Sequence, residues 1–62
     1  MTRYTLNGVD LFNSIERLAQ YMVDNNKEHK QAYSFTDCNM APLCDWEQSE
    51  LNVYIRHYMP EV

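Results

Sequence analysis

Sixty-two residues with a formal net charge of −4 and 45% hydrophobic side chains make one domain at most, with a core that is marginal without a staple or a partner. That hydrophobic share suits a globular fold rather than a disordered chain, and no apolar run approaches the roughly 20 residues of a membrane span. Met1-Thr2-Arg3-Tyr4 lacks the apolar core of a signal peptide, so the expected setting is cytoplasmic, with Cys38 and Cys44 reduced.

Two readings stand at the N-terminus. Asn7-Gly8 between β-prone residues is a hairpin signal, because both residues tolerate positive φ in a type I′ turn; that register sets Leu6 opposite Val9 and Tyr4 opposite Leu11. Alternatively, Asp10 caps a helix that is already running at Leu11. From Leu11 to about Asn25 the positions Leu11, Ile15, Leu18, Ala19 and Met22 form one stripe, with Phe12 and Val23 at its margin. Such a stripe is ordinary core. Asp24-Asn25-Asn26 ends this helix, since Asn favours caps and left-handed geometry.

Asn25 and Glu28 have capping-box spacing, which predicts a shorter middle helix over residues 26–35 with Ala32 and Phe35 inward. Lys27, His29 and Lys30 form the one basic cluster. Most such clusters are solvated faces. The alternative is a small DNA-associated regulator reading through a Lys27–Lys30 helix. Residues 36–44 read as a loop, because Thr36-Asp37, Asn39 and Ala41-Pro42 are turn formers.

The final stretch, Asp45 to Met59, predicts the second long helix, capped by Asp45 with Gln48 and stopped by Pro60. At about 100° per residue, Leu51, Tyr54, Ile55 and Tyr58 share the core face. Trp46, Val53 and His57 cluster opposite, with Glu50 beside them. The fold class expected is therefore mainly α: two longer helices around a short middle one, with a short N-terminal β-hairpin or strand, in a single domain over 1–62.

Charge and aromatic content point to the class of action. Residues 37–62 set five acids against Arg56 alone, while residues 1–36 are balanced. That disfavours phosphate binding by this region and favours a basic protein surface, although acidity also serves solubility alone. Eight aromatic residues make up 13% of the chain, and Tyr and Trp are enriched at interfaces. The expected partner-binding residues are Trp46, Glu47, Glu50, Val53 and His57, unless Trp46 folds back onto the 36–44 loop as core.

Other chemistries find weaker footing. His29, Cys38, Cys44 and His57 supply the inventory of a zinc site, but five residues separate the cysteines where zinc motifs use two to four, so no metal is expected. With Gly8 as the single glycine there is no phosphate loop, and no serine has a nucleophile-elbow context. The reading is a non-catalytic module without cofactor that binds and modulates, or inhibits, a larger protein. Small acidic accessory proteins of phages and mobile elements share its size and charge, an analogy without residue-level weight. The marginal core and the two-faced final helix also predict a homodimer.

Overall fold

The computed structural model describes residues 2–60, which form β1 (Arg3–Thr5), α1 (Ile15–Asp24), β2 (Tyr33–Thr36), β3 (Asn39–Pro42) and α2 (Asp45–Tyr58). The three strands make one antiparallel sheet in the order β1-β2-β3. This is a mixed α/β fold, which corrects the mainly α-helical expectation. No middle helix exists among the described residues; its last residues are β2, and the expected 36–44 loop contains β3.

The physical reason lies in the Tyr33–Thr36 run. Aromatic and β-branched side chains suit a pleated surface, and β2 is paired on both sides. Tertiary pairing of this kind overrides a weak helical pattern. The Asn25–Glu28 cap that suggested a helix is not made. Asn25 instead closes α1, its backbone and side-chain amides donating to the Tyr21 carbonyl at 3.1 and 2.9 Å, and Asn26 takes a φ of 55°. Glu28 Oε2 is shielded from solvent with no hydrogen-bond partner among the described residues.

The two-residue hairpin of this chain is not at Asn7-Gly8. It is at Asp37-Cys38, between the paired Thr36 and Asn39. Both turn residues have positive φ, 50° and 65°, the type I′ geometry that matches strand twist. Asn7-Gly8 lies in a wider loop organised by side chains. Thr5 Oγ1 accepts from the Gly8 and Asn7 amides at 2.8 and 3.2 Å. Asn7 Oδ1 accepts from Val9 and Asp10 at 2.9 and 3.0 Å. These bonds satisfy the Asn7, Gly8, Val9 and Asp10 amides without ladder pairing, and Thr5 is fully buried beneath the loop.

Tyr4 explains how β1 sits. In an antiparallel ladder successive residues point their amides to opposite sides. Arg3 and Thr5 therefore bond toward β2, and Tyr4 turns the other way, exchanging hydrogen bonds of 2.9 and 2.8 Å with Phe12. That pairing replaces the expected Tyr4–Leu11 register.

The helical stripes keep the predicted spacing from Ile15 onward, but α1 starts at Ile15 rather than Leu11. Leu11 lies outside the helix because Phe12 beside it pairs with Tyr4, and Asp10 is not its cap. Ser14 caps α1, accepting from the Arg17 amide at 3.2 Å. Ile15, Leu18, Ala19 and Met22 of α1 meet Leu51 and Ile55 of α2, and Tyr4 and Ala32 complete the core. Phe12, Val23, Tyr54 and Tyr58 pack at its margin. Burying each large apolar side chain contributes about 1.5–3 kcal/mol, so the helix pair is where the fold is held. No helix of the described residues is long and apolar enough to cross a membrane.

Candidate functional site

The helical period of α2 turns Trp46, Glu50, Val53 and His57 away from the Leu51–Ile55 stripe. Trp46 is 63% exposed and Val53 64%; His57 is exposed and Glu50 half-buried. Trp46 does not fold back onto the 36–44 segment as core. The His57 ring stands edge-on to Tyr58, with centroids 5.2 Å apart. Asp45 and Asn52 are also exposed on this helix.

Beside Trp46 runs an open groove of about 320 Å³ between α2 and the start of α1. Trp46, Glu50 and Tyr54 line it from α2, Asn13, Ser14 and Glu16 from the α1 side. Glu16 also accepts a 2.8 Å hydrogen bond from the Tyr58 hydroxyl, which ties the two helices together. This bond raises the Tyr58 pKa above its ordinary value, with desolvation and the Glu16 charge adding to it. The groove therefore joins an exposed indole to two carboxylates. Such a lining suits an arginine or lysine side chain that lies over an aromatic face.

Glu47 departs from the expected partner-facing set. Its residue is only 8% exposed; its carboxylate accepts from the Cys44 backbone N–H at 3.1 Å and stands next to the Tyr4 hydroxyl. Cys44, not Asp45, is the N-cap, and Glu47 rather than Gln48 reaches back to it. Burial is the largest single influence on the Glu47 carboxyl and acts to raise its pKa. Hydrogen bonds from the Cys44 thiol, the Cys44 amide and the Tyr4 hydroxyl together outweigh it, and the pKa lies below the ordinary value. Across the contact, burial first and then the Glu47 hydrogen bond and charge push the Tyr4 hydroxyl up to about 12. Glu47 is thus a structural link between α2 and β1. The signal was present in the sequence, because Glu47 precedes Leu51 by four residues and shares its face.

Lys27 and Lys30 lie on a turn between α1 and β2, so the helix that a DNA reader would insert into a groove is absent there. His29, Cys38, Cys44 and His57 are not brought together, and among the described residues no three His, Cys, Asp or Glu side chains are grouped to hold a metal. Both thiols are free and exposed. Comparison with protein families, curated proteins and solved structures finds no match to this chain.

Proposed function

We propose that this chain is a non-catalytic binding protein that docks the outer face of α2 on a larger protein and modulates or inhibits it. The observation that carries this reading is the exposed Trp46–Val53 face beside a groove bearing Glu16 and Glu50. The partner it fits presents an apolar notch for the indole, ringed by Arg or Lys. Trp is among the residues most enriched at binding hot spots, and charge around it adds electrostatic complementarity to a basic partner. Two free thiols fit a reducing, cytoplasmic setting.

Affinity capture from the native host with wild-type and Trp46→Ala protein, followed by binding of the purified partner, tests the proposal. Trp46→Ala should lose about 2 kcal/mol or more of binding while its melting temperature stays near wild type. Glu50→Gln should chiefly slow association and flatten its salt dependence. Undiminished binding by the folded Trp46→Ala variant sinks the proposal.

Self-association is a second reading favoured by one feature of the same face. An antiparallel pair of α2 helices centred on Val53 sets Glu50 of one copy opposite Arg56 of the other, because the positions are symmetric about residue 53. Light scattering decides it. A 7.4 kDa monomer at high micromolar concentration removes the dimer and leaves the foreign partner.

A further inference from the structure

Away from α2, a second cleft of about 380 Å³ lies where the β1–α1 loop, α1 and the α1–β2 turn meet. Leu6, Phe12, Tyr21 and Tyr33 form its apolar lining. All four are half-buried, leaving the faces they turn to the cleft unused by the core. Phe12 and Tyr21 pack against each other with centroids 5.0 Å apart. The chain's two lysines, Lys27 and Lys30, stand at the same cleft. In a protein of net charge −4, gathering both lysines at an aromatic recess is a local inversion of sign.

The turn that carries the lysines is also held in place. Their turn is pinned to α1 by the Lys27 amide, which donates to the Met22 carbonyl at 2.6 Å, and by the Lys30 amide donating to Lys27 at 3.0 Å. The Lys27 ammonium sits 5.7 Å above the Tyr21 ring, so cation and π-face adjoin. Across the cleft, Asp10 belongs to the loop locked by Asn7 and offers a carboxylate to an N–H donor. Sites of this volume are typical of small-molecule recognition, and pre-ordered walls lower the cost of binding.

We infer that this cleft binds a nucleoside monophosphate, its base against the Phe12–Tyr21–Tyr33 wall and its phosphate on Lys27 and Lys30. Each side of the cleft suits one part of such a ligand. Every base offers a π-face for stacking, and two ammonium groups suit a dianion. A base amino group then reaches Asp10 rather than a phosphate, which that carboxylate repels.

Amide-resolved NMR titration with adenosine monophosphate, adenosine and inorganic phosphate in 150 mM salt tests the assignment. The mononucleotide should shift amides of residues 6–12, 21 and 27–33 and leave those of 46–57 in place. Adenosine and phosphate should each bind about tenfold or more weakly, as loss of either half implies. Lys27→Ala/Lys30→Ala, a surface change that should keep the fold, should lower mononucleotide affinity by about tenfold or more. Tyr21→Leu, checked for folding by circular dichroism, should weaken adenosine as much as the mononucleotide. No shift at millimolar mononucleotide overturns the inference, as does equal binding of inorganic phosphate. A single-stranded oligonucleotide that binds more tightly than the mononucleotide also overturns it. None of these outcomes bears on the α2 face, so the two proposals fail separately.

Discussion

Leu18 of α1 and Met40 of β3 stand in two differently built regions of this molecule. Leu18 has no exposed surface and Met40 keeps 49% of its own. Around Leu18 the two helices interdigitate, and each buried side chain contributes through lost water contact and dispersion. Around Met40 every residue of β3 is exposed, and the strand is held by its ladder to β2. Backbone hydrogen bonds of that kind add only about 0.5–1.5 kcal/mol each, and a two-stranded hairpin alone is barely stable in water. The β2–β3 hairpin therefore depends on its two ends, where Ala32 sits in the core and Leu43 packs against it, and on β1, which is tied to the helix pair through Tyr4.

Leu18→Ala gives the largest expected break in that hierarchy. It should destabilise the fold by about 2–5 kcal/mol in urea denaturation, while Met40→Ala stays within about 0.5 kcal/mol. Comparable losses for the two variants would dissolve the contrast.

The Tyr4–Glu47 contact joins the two regions and should rank next. Glu47→Ala leaves the Cys44 amide without its acceptor and removes the carboxylate beside the Tyr4 hydroxyl, at a cost of about 1–3 kcal/mol. The contact also gives stability a signed pH dependence. The folded Glu47 pKa lies below the ordinary 4.5, so its contribution is full above that value and is lost as pH falls toward the folded pKa. The Tyr4 pKa is raised from 10 to about 12. Its contribution is full below pH 10 and disappears as pH rises through about 12. Glu47→Gln should flatten the acid limb of a stability–pH curve and Tyr4→Phe the alkaline one. An unchanged acid limb in Glu47→Gln would show that Glu47 does not carry the link.

Smallest is the expected gain at the hairpin tip. Cys38 holds a φ of 65° without being glycine, a conformation that costs a side-chain-bearing residue about 1–2 kcal/mol. Cys38→Gly relieves this and loses part of the gain to unfolded-chain entropy, for a net of about 0.5–1 kcal/mol. A melting temperature raised by a few degrees checks it. No rise would mean that the tip frays independently of the body.

Some of this was legible in the chain. The stripe Ile15–Leu18–Ala19–Met22 and the stripe Leu51–Ile55 follow from helical spacing alone, and so does the outward turn of Trp46, Val53 and His57. Each depends on local geometry that neighbours in sequence specify. The sheet does not. Tyr33–Thr36 is too short for its period to exclude a helix, and its partners lie at Arg3–Thr5 and Asn39–Pro42. Asp37-Cys38 lacks the glycine that usually announces a type I′ turn, whereas Asn7-Gly8 has it and folds otherwise because Thr5 and Asn7 capture the loop amides. Adjacency to Trp46 suggests a partner-facing Glu47, whereas its helical phase sets it with Leu51. The lysine–aromatic cleft draws on three separate segments and has no sequence signature.

Pro42 at the end of β3 has a further consequence, for the solubility of a chain whose hairpin is left in the open. The alternation that bonds Asn39 and Ala41 to β2 turns the amides of Met40 and residue 42 outward, and proline has no amide hydrogen. A foreign strand approaching this edge meets one donor where a regular strand of this length offers two. Unpaired edges of that kind are templates for aggregation, and proline is among the devices that disarm them. The sheet edge is thus weakened as a template by its chemistry rather than by cover, which helps so small a protein leave a whole strand in water.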